Sequence, residues 1–352
     1  MIELLRREPP AFFCRRREMF HIGRNCMKGT MPTMKDVAQE AGVALGTVSK
    51  VFNGIPVGES YRIKVEEAAQ KLGYQVNQYA RGLRASTTFT VALILPGVDH
   101  PFFAALAQQV CVALARRGYR MLLYVTASNP EMEQACVNMV RQNKADGIIG
   151  LTYNPLEVDE NLPFVGIDRS FRPDIPCVAA DNYGGGRLAA EKLLELGCRH
   201  LAFFRTGSTS PSETDKRGDG FEAACRARAV PCDVLRLNDG QGYEPFREFL
   251  RSRIHGGRLE IDGIFCSTDL LAWRVREILE ELGFRAPEDV QLIGFDGIRR
   301  FGGEELYCST IIQPVDKIAE TCVDLLLTKD RGKIPALICL PVRYAPGGTT
   351  RE

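Results

Sequence analysis

The most constraining feature of this chain is an alternation that begins at Val91. Short apolar runs at 91–95, 121–125, 147–151, 164–167, 201–204, 263–266 and 290–295 are separated by segments of helical spacing near 102–117, 130–143, 184–196, 217–228, 244–253 and 269–282. Strands that alternate with helices, and that are apolar on both faces, predict parallel sheets covered on both sides by helices. A stretch of about 260 residues holds two such sheets. In that architecture ligands bind in the crevice beyond the carboxyl ends of the strands.

The residues ahead of this region follow a different period. Thr33 is a capping residue followed three positions later by Asp36, which suits a helix amino terminus. Val37, Ala38 and Ala41 form its small apolar face, and Gly42 ends it. A second short helix runs to Phe52, closed by the Asn53-Gly54 pair. A third covers Ser60–Leu72, with Ile63, Val65, Ala68, Ala69 and Leu72 expected in the core. Two short helices joined by a tight turn, with a third across them, make a helix-turn-helix unit or a bare three-helix bundle. Residues 77–85 allow one or two marginal helical turns that need a partner to be stable, and a polar linker follows.

Charge follows the same division. The whole chain has 45 basic and 44 acidic residues, a net of +1. Residues 1–32 carry +4, residues 33–90 carry +2 and residues 91–352 carry −5. A balanced total therefore hides a basic amino end joined to an acidic body. Residues 1–32 lack periodicity and are expected to be a disordered or untranslated leader, with Met27, Met31 and Met34 near the onset of pattern. No apolar run approaches the ~18 residues of a membrane span, and no signal-peptide core is present, so a cytoplasmic location is expected. The twelve cysteines contain no CxxC pair and are expected to be reduced, buried thiols rather than metal ligands. No GxSxG, Walker A or HExxH motif occurs, and the four histidines are scattered. No catalytic group, cofactor or metal is expected.

The segment Met34-Lys35-Asp36-Val37-Ala38-Gln39-Glu40-Ala41-Gly42-Val43, followed by Thr47-Val48-Ser49-Lys50-Val51-Phe52-Asn53-Gly54, resembles the LacI/GalR family of bacterial transcription regulators. The resemblance extends through Leu72-Gly73-Tyr74, Asn77, Pro101-Phe102-Phe103, Asp181-Asn182, Arg217–Phe221, Thr268-Asp269, Gly294-Phe295-Asp296 and Ile312-Gln313-Pro314, covering roughly 33–350. It implies an all-α helix-turn-helix headpiece with a hinge helix, then an α/β core of two doubly wound parallel-sheet subdomains like the periplasmic sugar-binding proteins. The expected boundaries are a headpiece at 33–76, a hinge and linker at 77–90, and a core at 91–352. The core divides into an amino subdomain (about 91–180 and 314–340) and a carboxyl subdomain (about 181–313 and 341–352).

The resemblance also implies function. Its members are repressors that bind palindromic double-stranded operator DNA as homodimers and respond to a small effector, usually a sugar and sometimes a nucleobase. Thr33, Lys35, Leu45, Thr47, Ser49, Lys50, Asn53, Asn77, Tyr79, Ala80, Leu83 and Arg84 are the expected DNA-binding residues. Leu83 matches the hinge leucine that wedges into the minor groove. Ala44 and Gly58 stand where the family usually has a hydroxyl cap. Phe102 and Phe103, in the loop after the first strand, and Asp168, at the carboxyl end of the 164–167 strand, are expected effector ligands together with Arg217, Asp269 and Gln313, and Thr268 replaces the family's usual Asn. The absence of carboxyl-terminal leucine heptads favours a dimer over a tetramer. A stand-alone sugar-binding transport protein is the competing reading from another class, but it has no need of residues 33–85.

Overall fold

A computed structural model describes residues 32–52, 54–74, 87–207, 210–238, 240–300, 303–328, 330, 332 and 334–352. The chain forms two compact units that divide after Gln78.

In the first unit, α1 (Met34–Ala41) opens on a reciprocal cap: the Thr33 backbone N–H donates to Asp36 Oδ2 (2.6 Å), and the Asp36 N–H donates to Thr33 Oγ1 (3.4 Å). Gly42 closes it at φ 63°, a left-handed conformation that costs glycine little. Helices α2 (Leu45–Phe52) and α3 (Glu59–Leu72) pack on it around Val37, Ala38, Val48, Val65, Ala68 and Ala69. Ile63 departs from expectation and is 43% exposed. The buried face of α3 runs Val65, Ala68, Ala69, Leu72, and Ile63 lies two residues earlier, about 200° around the helix.

The second unit contains two six-stranded sheets. The first lobe holds β1 (Thr90–Leu95), β2 (Arg120–Val125), β3 (Gly147–Gly150), β4 (Phe164–Ile167), β5 (Cys177–Ala180) and β13 (Leu337–Leu340), in the order β13-β5-β4-β3-β1-β2 and all parallel. The second holds β6 (Leu201–Gly207), β7 (Cys232–Asn238), β10 (Gly263–Cys266), β11 (Gln291–Asp296), β12 (Ser309–Ile312) and β14 (Arg343–Ala345), in the order β14-β12-β11-β10-β6-β7, with β14 antiparallel to β12. The small hairpin β8–β9 (Ile254–His255 and Arg258–Leu259) lies outside both sheets.

Every residue of β1 is buried. Leu93 and Leu95 face α4 (Pro101–Arg116) and α10 (Val315–Leu327), while Ala92 and Ile94 face α5 (Pro130–Gln142). The second sheet is covered in the same way. Phe203 and Phe265 pack toward α6 (Asn182–Glu195) and α7 (Lys216–Ala227), and Phe204 and Cys266 pack toward α8 (Glu244–Ser252) and α9 (Asp269–Glu281). The chain passes between lobes three times, at 180–182, 312–315 and 340–343. The carboxyl ends of β1, β3, β4, β6, β10, β11 and β12 supply side chains to one cleft between the lobes.

Candidate functional site

The cleft has a volume of about 350 Å³. From the first lobe, β1 leads into a loop capped by His100, whose Nδ1 accepts from the Phe102 N–H (3.3 Å). An accepting Nδ1 is an unprotonated one, and burial pushes the His100 pKa down. This cap starts α4 with Pro101 and sets Phe102 and Phe103 on the cleft wall, ring centroids 5.9 Å apart and edge to face.

From the second lobe comes Arg217, 3% exposed. Its Nε donates to Asn182 Oδ1 (2.7 Å) and its Nη1 donates to the Ser267 carbonyl (2.6 Å). The guanidinium carbon lies 3.7 Å from the Phe295 ring centroid. Two glycines make this placement possible. A Cβ on Gly186 would sit 1.9 Å from the Arg217 carbonyl oxygen, and one on Gly220 would sit 2.0 Å from the Tyr183 carbonyl oxygen. α6 and α7 therefore touch backbone to backbone, which brings Arg217 within reach of Asn182.

Asp168 directly follows β4 and Asp296 ends β11, with φ of 55° and 128°. Both are sparsely populated conformations for a non-glycine residue, the kind of strain found at ligand sites. Burial pushes the Asp168 pKa up against the pull of Arg217. Asp296 is pushed up to about 8, first by burial, with Arg217 opposing and Asp269 adding to the rise. Arg217 Nη1 lies 3.8 Å from Asp296 Oδ1, and Gln313 Nε2 donates to that oxygen at 2.7 Å.

Among the described residues, six buried side-chain polar atoms lack a partner. Five of them, Asp168 Oδ1, Arg169 Nη1, Ser267 Oγ, Asp296 Oδ2 and Gln313 Oε1, belong to cleft residues. Each buried orphan costs roughly 1–3 kcal/mol, so their concentration at one place points to groups that a ligand satisfies.

The headpiece carries the second candidate surface. Lys35 and Lys50 are exposed, and Leu45 at the start of α2 is 40% exposed although apolar. Thr47 and Ser49 are half-buried on the same helix. Thr33 is exposed and engaged in the α1 cap. Asn53, Asn77, Tyr79, Ala80, Leu83 and Arg84 lie outside the described residues, as do residues 1–31 of the leader and 77–86 of the hinge segment.

Residues 33–77 match the model of bacterial regulatory proteins of the lacI family, and residues 88–321 match that of periplasmic binding proteins and the sugar-binding domain of the LacI family. The chain belongs to the LacI family. The sucrose operon repressor of Streptococcus mutans is 32% identical over 320 residues, covering 89% of this chain and 98% of that protein. A periplasmic binding protein/LacI transcriptional regulator from Alkaliphilus metalliredigens, solved with D-xylulofuranose, is 27% identical with a TM-score of 0.65, covering 75% of this chain and 99% of that one. The lac repressor dimer bound to operator shares the fold at 21% identity and a TM-score of 0.76, over 91% and 99% of the two chains.

Within this LacI-family core, Phe102, Phe103, Asp168, Arg217 and Gln313 come together on the cleft, and Asp269 does not. Asp269 is 1% exposed at the start of α9. Its Oδ2 accepts from the Ile298 N–H (2.6 Å) and its Oδ1 accepts from Thr310 Oγ1 (2.5 Å). Gly294 admits this carboxylate, since a Cβ there would lie 2.3 Å from Oδ1. Asp269 thus holds the turn after β11 that displays Asp296. Asp296, Arg169 and Ser267 are cleft residues absent from the expected effector ligands, although Asp296 stands in the Gly294-Phe295-Asp296 motif. All three lie at strand carboxyl ends, the signal that selected Asp168.

Proposed function

We propose that this chain is a DNA-binding transcription repressor whose operator affinity is set by a sugar held in the interlobe cleft. The observation that carries the reading is the set of five orphaned polar atoms beside the Phe102–Phe103 wall. Burial pushes the Asp296 pKa up to about 8, so that its carboxyl can donate as well as accept. Sugar hydroxyls also do both, in many directions around a ring. The sucrose operon repressor among the relatives and the D-xylulofuranose held by the related structure favour a sugar. Asp168, Arg217, Asp296 and Gln313 are the polar ligands, with Arg169 and Ser267 beside them, Phe102 and Phe103 the stacking wall, and Asp269 the residue that positions Asp296.

The headpiece supplies the DNA contacts. α2 enters the major groove with Leu45 at the base edges, where it meets a thymine methyl, and Lys50 at guanine acceptors. Lys35 neutralises backbone phosphate. Leu83 and Arg84 act at the minor groove as the hinge, and the functional unit is a homodimer on a palindromic site. Sugar binding changes the closure of the lobes and thereby operator affinity, to the extent that the sugar prefers one state.

A thermal-shift titration of the full chain with sugars and nucleobases tests the proposal, because a ligand of the folded state raises its stability. A sugar should raise Tm in a concentration-dependent way, and Arg217→Met should abolish the shift. A nucleobase that shifts Tm where no sugar does would refute the sugar reading.

A further inference from the structure

Residues 75–86 join the headpiece to the core, and the chain enters the core through Thr88, Phe89 and Thr90. This entry is fastened at the amino ends of β1, β2 and β3, the opposite end of the sheet from the cleft. Asp146, half-buried just ahead of β3, accepts from two backbone donors: the Thr88 N–H on Oδ1 (2.9 Å) and the Thr90 N–H on Oδ2 (3.1 Å). Its own N–H donates to the Thr90 carbonyl (2.7 Å). One residue thus holds the chain on both sides of Phe89.

Phe89 itself has a φ of 51°. A bulky residue seldom takes this left-handed conformation, which persists only where the surroundings fix it. Thr88 Oγ1 donates to the Lys144 carbonyl (3.1 Å), Arg120 Nη2 donates to the Thr88 carbonyl (3.2 Å), and the Arg120 N–H donates to the Phe89 carbonyl (2.8 Å). The Phe89 ring packs on Tyr119 with centroids 5.5 Å apart. Strand β1 is already fixed by burial and by pairing with β2 and β3, so the clasp chiefly fixes the residues before it. From the clasp β1 runs about 20 Å to Pro96, a residue of the cleft.

We propose that Asp146 is a positioning residue for DNA control, clasping the chain at Thr88 and Thr90 so that the first lobe carries the point from which the chain runs on to the headpiece. The inference rests on the reading of the chain as a sugar-controlled repressor, and it names the residue through which the core grips the DNA-binding end. Opening the clasp frees Thr88 and Phe89, which adds about 7 Å of extended chain between lobe and headpiece. Lobe movements smaller than that are then taken up by the added length instead of reaching the headpiece.

The test is fluorescence anisotropy of the full chain on a palindromic duplex selected from a random-sequence pool, alone and with sucrose, ribose, fructose or glucose in excess. Without sugar, Asp146→Ala should bind the duplex about threefold or more weakly than wild type, because a longer tether lowers the effective concentration of the second headpiece of a dimer. Inserting two glycines between Thr87 and Thr88 lengthens the tether equally ahead of an intact clasp and should weaken binding to the same degree. With a sugar that changes wild-type operator affinity about tenfold, both variants should change by about threefold or less, while their sugar affinity in calorimetry stays that of wild type. Asp146→Asn keeps an acceptor for one of the two N–H groups and should show a smaller change of the same kind; it decides where Asp146→Ala does not fold. Asp146→Ala that keeps either the wild-type operator affinity or the wild-type sugar response would overturn the proposal. So would a loss of sugar affinity in step with the loss of response, which marks a residue of purely structural role. A wild-type chain whose operator binding no sugar alters would overturn the sugar reading alone, and the sugar-free comparison of Asp146→Ala with the glycine insertion would still decide on the clasp.

Discussion

Gly220→Ala perturbs the site without touching a ligand group. The added Cβ would fall 2.0 Å from the Tyr183 carbonyl oxygen, 2.9 Å from its carbonyl carbon and 3.1 Å from the Arg187 nitrogen. All three are backbone atoms, so no side-chain rotation relieves the clash. An ordinary carbon–oxygen contact needs roughly 3.2–3.3 Å, so α7 must move about 1.2 Å away from α6. Arg217 lies one turn earlier on α7, and its 2.7 Å bond to Asn182 on α6 would open to nearly 4 Å. The guanidinium is then displaced from the cleft floor, and a ligand hydrogen bond to a charged group contributes about 1.5–3 kcal/mol, which corresponds to roughly a 10- to 150-fold loss of sugar affinity. Overpacking costs about 1–3 kcal/mol, and replacing a helical glycine by alanine returns up to ~1 kcal/mol. Tm of the ligand-free core should therefore fall by only a few degrees. Calorimetric titration with the sugar that binds wild type, alongside a thermal melt, separates the two effects. A variant that binds within twofold of wild type would refute the claim that glycine-mediated helix contact positions Arg217.

Three further outcomes follow from the same geometry. Asp296 has its pKa raised to about 8 in the folded chain, so the native state holds a proton that the unfolded state lacks between about pH 4 and 8. Stability of the ligand-free core should then fall as pH rises through this window, by up to ~1.4 kcal/mol per pH unit; denaturant melts of Asp296→Asn should show a shallower slope, and an unchanged slope would contradict the assignment. Thr33→Ala removes the side-chain half of the α1 cap and should cost the headpiece about 1 kcal/mol in thermal unfolding followed by circular dichroism. Gly46→Ala adds a Cβ that meets nothing within 4 Å at a helical position with no positive φ, so it should stabilise the headpiece by up to ~1 kcal/mol; a lower headpiece Tm would contradict that.

The legibility of this fold in its sequence follows burial. Strands buried on both faces, such as Leu201–Phe204 and Gly263–Cys266, stand out because every position is apolar. The strand Cys177–Ala180 is equally buried, but its Cys-Val-Ala-Ala run is too small to register as an apolar peak. β7 is an edge strand, mostly half-buried, with Asp233 and Arg236 interrupting it. β13 and β14 flank the third crossing and are short and half-exposed. α10 carries a readable stripe at Ile318, Ala319, Cys322, Val323 and Leu326, which the strand–helix alternation left unassigned. In the site, the strand-end rule finds Asp168 and applies with equal force to Asp296. Asp269 also follows a strand, but it opens a helix and its carboxylate turns back to the Ile298 N–H and Thr310. Which way a carboxylate faces at a strand end depends on long-range neighbours such as Gly294, and local sequence does not contain them.

We propose that a sugar in the cleft controls DNA binding by the headpiece. The most direct measurement is fluorescence anisotropy of the full chain on a palindromic duplex selected from a random-sequence pool, titrated with and without a saturating sugar that raises Tm. Operator affinity should change at least tenfold with the sugar, and the change should be absent in Arg217→Met. Operator affinity that is indifferent to a sugar demonstrably bound in the cleft would contradict it.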